Sequence, residues 1–105
     1  MKLAILVLSD PKSGADEALG RVFNALALAH ESQQSGDEVE LVFEGAGTRW
    51  PEQLAQLTHP ANGLYNAVRD RVKGASCACS EVFGARTSAE RAGIALLRDN
   101  PLPGT

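Results

Sequence analysis

Leu3-Ala4-Ile5-Leu6-Val7-Leu8 runs into Ser9-Asp10-Pro11, and this stretch decides the fold. A continuous apolar run that stops at a polar turn predicts a strand covered on both faces, as central strands of parallel sheets are. Ser13-Gly14-Ala15-Asp16 then supplies an N-cap hydroxyl and an acid for the first turn of a helix. Ala15, Ala18, Leu19, Val22, Phe23 and Leu26 recur at the i, i+3, i+4, i+7 spacing of a buried helical stripe. Gly36 ends that helix, because only glycine enters the left-handed region without steric cost. Val39, Leu41 and Phe43 alternate with Glu40 and Glu44 as a second strand. Strand, helix, strand requires a crossover, almost always right-handed, so the first half of the chain predicts a βαβ unit.

The pattern continues outward. Pro51 suits the first turn of a short helix reaching about Leu57, which His59-Pro60 breaks. Leu64, Tyr65, Val68 and Val72 mark one face of a further helix that Gly74 closes. Ala75 to Cys79 reads as a buried strand of small residues, Thr87-Ser88-Ala89-Glu90 as a capping box, Gly93 as a helix stop and Ile94 to Leu97 as a last strand. The expected class is α/β: a three-layer α/β/α sandwich around a mainly parallel sheet of four to five strands, flavodoxin-like in appearance.

Length and composition agree with this. The chain has 105 residues, 44% hydrophobic and 22% charged, enough for one globular domain over residues 1–105, with residues 99–105 expected to be loosely ordered. A chain of this size buries roughly two-thirds of its unfolded surface, so folding requires neither a metal nor a disulfide framework. Ten Lys and Arg against thirteen Asp and Glu give a net charge of −3, which offers no basic field for nucleic acid or an anionic membrane. The apolar run after Met1-Lys2 is too short to span a bilayer and has no cleavage site behind it, so a cytoplasmic protein is expected. Two cysteines only two residues apart close no long loop, which fits a reducing compartment.

In an open parallel sheet the ligand crevice lies beyond the carboxyl ends of the strands. Four segments qualify: Ser9 to Gly14, Glu44 to Trp50, Cys77 to Glu81, and the tail. If Ala75 to Cys79 is extended, Cys77 and Cys79 share a face, and Cys79 stands where a helix N-terminus favours an anion. Such a site takes a thiol from its ordinary value near 8.5 to about 3.5–7.5. Cysteine is also among the most buried residue types, so two thiols filling a tight interior stand beside that reading. Zinc is not expected, since two thiolates supply half a tetrahedral set and His30 and His59 do not complete it. Gly45-Ala46-Gly47 lacks a dinucleotide fingerprint's third glycine and Lys12-Ser13 lacks a Walker loop, so no cofactor is expected. Gly45 and Gly47 read as tight-turn residues or an anion cradle, and Arg49 as an anion ligand or a solvated charge. Trp50 and Tyr65 read as core or interface anchors or as pocket lining, and His59 as an exposed turn residue or a proton donor.

Taken together, the first strand with Ser9-Asp10, the loop Glu44 to Trp50, the segment His59-Pro60 to Gly74, and Cys79-Ser80-Glu81-Val82-Phe83-Gly84-Ala85 resemble the DsrE-like (DsrE/DsrF) family of small sulfur-relay proteins. The likeness covers nearly the whole chain. Its most specific part is a cysteine after the third strand, followed by a short helix ending in Phe-Gly. The resemblance implies a DsrEFH-like fold and a sulfur carrier without cofactor, in which Cys79 takes up sulfane sulfur as a persulfide and hands it on. It further implies a homo-oligomer (dimer, trimer or hexamer) or a hetero-oligomer with paralogues, together with donor and acceptor proteins. Members often place the earlier cysteine three positions before the second; here the spacing is Cys77-Ala78-Cys79. Cys79 is the carrier candidate, Cys77 the secondary thiol, and Gly45, Gly47, Arg49 and Ser80 the candidate binding residues. Two other readings stay open: an anion or small-molecule binding module built on Gly14, Gly45 and Arg49, and an oligomeric subunit whose cysteines fill the core.

Overall fold

A computed structural model describes residues 1–98, so the expectation about 99–105 lies outside the described residues. The chain is mixed α/β, with an all-parallel four-stranded sheet in the order β1-β2-β3-β4, compatible with the expected three-layer α/β/α class. The strands are β1 (Lys2–Val7), β2 (Glu38–Phe43), β3 (Val72–Ser76) and β4 (Leu96–Leu97). The helices are α1 (Asp16–Gln34), α2 (Trp50–Leu54), α3 (Asn62–Val68), α4 (Cys77–Val82) and α5 (Arg86–Arg91).

β1 pairs with β2 in unbroken register from Lys2 opposite Glu38 to Val7 opposite Phe43. Ile5, Val7, Val39, Leu41 and Phe43 face a buried core with Val22 and Leu26 of α1 and Tyr65 and Val68 of α3. The other face of β1 is not covered as expected: burial alternates along the strand, and Leu6 and the following Leu8 are 55% and 60% exposed. That face is open at Lys2, Ala4, Glu38 and Glu40, and closes toward β3 and β4, where Val42 and Gly74 are buried.

Several local expectations shift for identifiable reasons. Ser13 does not cap α1; Pro11–Ser13 forms its own tight turn, capped by the Asp10 carboxylate, which accepts from the Lys12 amide at 2.9 Å. The α1 stripe is Ala18, Val22, Leu26 and Ala29 at i, i+4, i+8, i+11, which leaves Phe23 and Ala15 exposed. Val72 and Gly74 belong to β3 and not to a helix end. The register slips between Leu41 and Val42, and a Cβ on Gly74 would stand 2.4 Å from the Ala95 carbonyl oxygen, so glycine is what lets β4 close on β3. The capping box is not formed: α5 starts at Arg86, whose Nε donates to Glu90 at 3.2 Å, while Ser88 donates to the Ala85 carbonyl at 3.0 Å.

Tyr65, the only tyrosine, is fully buried, and its hydroxyl has no hydrogen-bond partner among the described residues. Burial pushes its phenol up from the ordinary value of 10.0, against the opposing charge of Arg69. The unfolded chain therefore releases this proton first, so stability is intact below pH 10 and falls as pH rises beyond it. Tyrosinate absorbance is expected to appear together with unfolding, and Tyr65→Phe to lessen the alkaline loss of stability. A separate tyrosine titration near pH 10 in still-folded protein would contradict this.

Candidate functional site

The carboxyl ends of β1, β2 and β3 meet through the segments that follow them. After β1, the Ser9 carbonyl and hydroxyl accept from the Trp50 indole nitrogen at 2.9 and 3.2 Å. After β2, residues 45–49 wind as a 3-10 turn into α2; Gly45 carries φ +56, and Thr48, fully buried, donates to the Gly45 carbonyl at 2.9 Å. Gly47 is pressed against β1, where a Cβ would stand 2.2 Å from the Val7 carbonyl oxygen. Both glycines are thus explained by turn geometry and close approach.

Arg49 spans the cluster. Its Nη1 donates to Asp10 at 3.0 Å, its Nε donates to the Phe83 carbonyl at 3.0 Å, and its guanidinium lies 5.4 Å from the Phe83 ring centroid. The Asp10 carboxyl is held below its ordinary value, first by the Lys12 amide and then by Arg49, with partial desolvation opposing. Arg49 is neither a solvated charge nor an open anion ligand at these two nitrogens; it ties the loop after β1 to the end of α4.

After β3 the chain turns directly into α4, which corrects the expectation that both cysteines extend β3. Ser76 is the N-cap, its hydroxyl accepting from the Cys79 amide at 3.3 Å. Cys77 and Cys79 are the first and third residues of this six-residue helix. Two helical steps of about 100° each send their side chains to different sides, where an extended strand would align them. Cys77 is 7% exposed and its Sγ accepts from Arg98 Nε at 3.1 Å, whereas Cys79 is half-buried. Both thiols are free. Ser80, fully buried, donates to the Ser76 carbonyl at 2.7 Å, and the Phe83 amide donates to the Cys79 carbonyl at 2.9 Å. The helix is therefore bound at its start by Ser76 and Ser80, at Cys77 by Arg98, and at its end by Arg49, with Cys79 between them.

Ser76 and Arg98 were not among the sequence candidates, while Asp10 lay in the Ser9 to Gly14 segment and Phe83 in the Cys79 to Ala85 motif, each without a role of its own. Ser76 carried a local signal, a serine three residues before the amide it caps. Phe83 caps the end of the same helix, and Asp10 and Arg98 meet the site from other parts of the chain. His59 takes the Ala61 amide on Nδ1 at 3.1 Å, sits edge-on to Trp50 at 6.1 Å between ring centroids, and is lowered below its ordinary value by desolvation. A groove of 560 Å³ lined by Lys2, Glu38, Glu40, Asp70 and Arg71 lies at the opposite, amino end of the strands. Its ion pairs Lys2–Glu38 and Arg71–Asp70 are mutual, and it contains neither cysteine.

The chain is similar to an uncharacterized protein of Methanocaldococcus jannaschii, 27% identical over 86 residues that cover 82% of this chain and 69% of that protein. No family model matches the chain. No solved structure matches it.

Proposed function

We propose that this protein is a sulfur carrier of the DsrE-like type, with Cys79 as the residue that accepts and passes on sulfane sulfur. One observation carries the reading: of the two thiols, Cys79 alone is partly open to solvent, on a helix fixed at both ends beyond the carboxyl edge of the sheet. The chemistry needs no cofactor. The Cys79 thiolate attacks the outer sulfur of a donor persulfide, the donor's S–S bond breaks, and the donor leaves as its own thiolate while Cys79 becomes a persulfide. An acceptor thiolate then attacks that outer sulfur and Cys79 leaves as thiolate, so the two steps transfer one sulfur without net oxidation.

Cys77, buried against Arg98, supports the helix in this reading and does not exchange sulfur. A cytoplasmic setting keeps such thiols reduced. Donor, acceptor and oligomeric contacts have exposed apolar side chains to use, among them Val82, three residues after Cys79 and 77% exposed, and Leu6 and Leu8 beside β2. Loading with a polysulfide tests the proposal: Cys79→Ser is expected to abolish uptake and Cys77→Ser to retain it.

A further inference from the structure

We infer that Arg49 is a positioning residue for Cys79, acting through the backbone of Phe83; this rests on the carrier reading above. The observations form a continuous chain. Asp10 accepts from Arg49 Nη1, Arg49 Nε donates to the Phe83 carbonyl, and the Phe83 amide donates to the carbonyl of Cys79 itself, at 3.0, 3.0 and 2.9 Å. The guanidinium also covers the Phe83 ring, so one planar group grips this residue at both its carbonyl and its side chain.

A six-residue helix cannot hold itself by propagation, since helix stability at this length comes from tertiary contacts. Its amino end is tied by Ser76 and Ser80, four positions apart in sequence, and by Arg98 on Cys77. Its carboxyl end is tied across 34 residues, by Arg49, whose Asp10 anchor lies 39 residues away. Arg49 thus sets the angle at which α4 presents Cys79 to a donor. Persulfide exchange requires the attacking sulfur in line with the S–S bond it breaks, and a misplacement of about 1 Å can cost on the order of a hundredfold in such a reaction.

Arg49→Lys separates this role from simple stapling. Lysine retains a charge for Asp10, but its donors all sit on one nitrogen, so it does not reproduce the two-nitrogen fork that reaches Asp10 and the Phe83 carbonyl together, and it has no planar face for the ring. Two readouts are needed: amide hydrogen exchange at Phe83 and Gly84, which is independent of sulfur chemistry, and the rate of polysulfide loading on Cys79. In Arg49→Lys, exchange at Phe83 is expected to quicken by about tenfold relative to α1 amides, and loading to slow by about tenfold or more. Asp10→Asn, which leaves the Phe83 contacts in place, is expected to keep loading within about twofold. Phe83→Leu, which keeps the carbonyl and loses the stacking face, is the second variant, with loading slowed by about threefold.

Unchanged exchange in Arg49→Lys would overturn the latch itself. Faster exchange with unchanged loading would overturn the positioning role. Absence of loading in the wild-type protein would overturn the carrier reading and the positioning role with it, while the exchange result would still report on the latch.

Discussion

Gly47→Ala is expected to destabilise the protein by about 3 kcal/mol or more, lowering the midpoint of thermal unfolding by more than about 10 °C. The added Cβ would stand 2.2 Å from the Val7 carbonyl oxygen, 2.9 Å from its carbonyl carbon and 3.3 Å from the Leu8 Cα. All three are backbone atoms of β1 or its end, so no side-chain rotation relieves the contact. The Val7 oxygen is also the acceptor for the Glu44 amide at 3.0 Å, and moving it strains the last rung between β1 and β2. Gly20→Ala is the control: it lies inside α1 with nothing within 4 Å of the new methyl, and is expected to stabilise by about 0.5–1 kcal/mol. Calorimetric or denaturant unfolding of both variants checks the pair. Equal, small effects would mean that the turn after β2 is not seated on β1 as described.

The second large effect is chemical. Iodoacetamide under native conditions is expected to modify Cys79 at least about tenfold faster than Cys77, because a buried side chain reacts only through local opening. Cys77 is 7% exposed and takes a hydrogen bond from Arg98, whereas Cys79 is half-buried on the other side of the same turn. In denaturant the two thiols are expected to react at similar rates, which shows that the native difference comes from the fold. Peptide mapping of the alkylated protein reads both rates in one sample. Cys77 reacting first in the native protein would reverse the assignment of roles.

The first βαβ unit was legible because its signals are local and agree with one another: an apolar run, a long periodic stripe, a glycine stop and an alternating strand. That the segments after β1, β2 and β3 would meet was legible for a related reason, since parallel strands put their carboxyl ends together whatever the sequence of the loops. Orientation at the cysteines was not. Ala75 to Cys79 contains no β-branched residue, and reading it as extended put both thiols on one face; the helix starts at Cys77 because Ser76 caps it. Gly74 has the composition of a helix stop and the function of a close-approach residue, decided by Ala95, 21 positions later in the chain. The ties from Arg49 to Asp10 and Phe83 span 39 and 34 residues, and no spacing rule connects them.

The most direct test of the carrier assignment is the intact mass of the native protein after exposure to a polysulfide, beside Cys77→Ser and Cys79→Ser. A gain of one sulfur atom is expected in the wild-type and Cys77→Ser proteins, reversed by reductant, and none in Cys79→Ser. A gain that persists in Cys79→Ser, or no gain in the wild-type protein, would contradict the assignment.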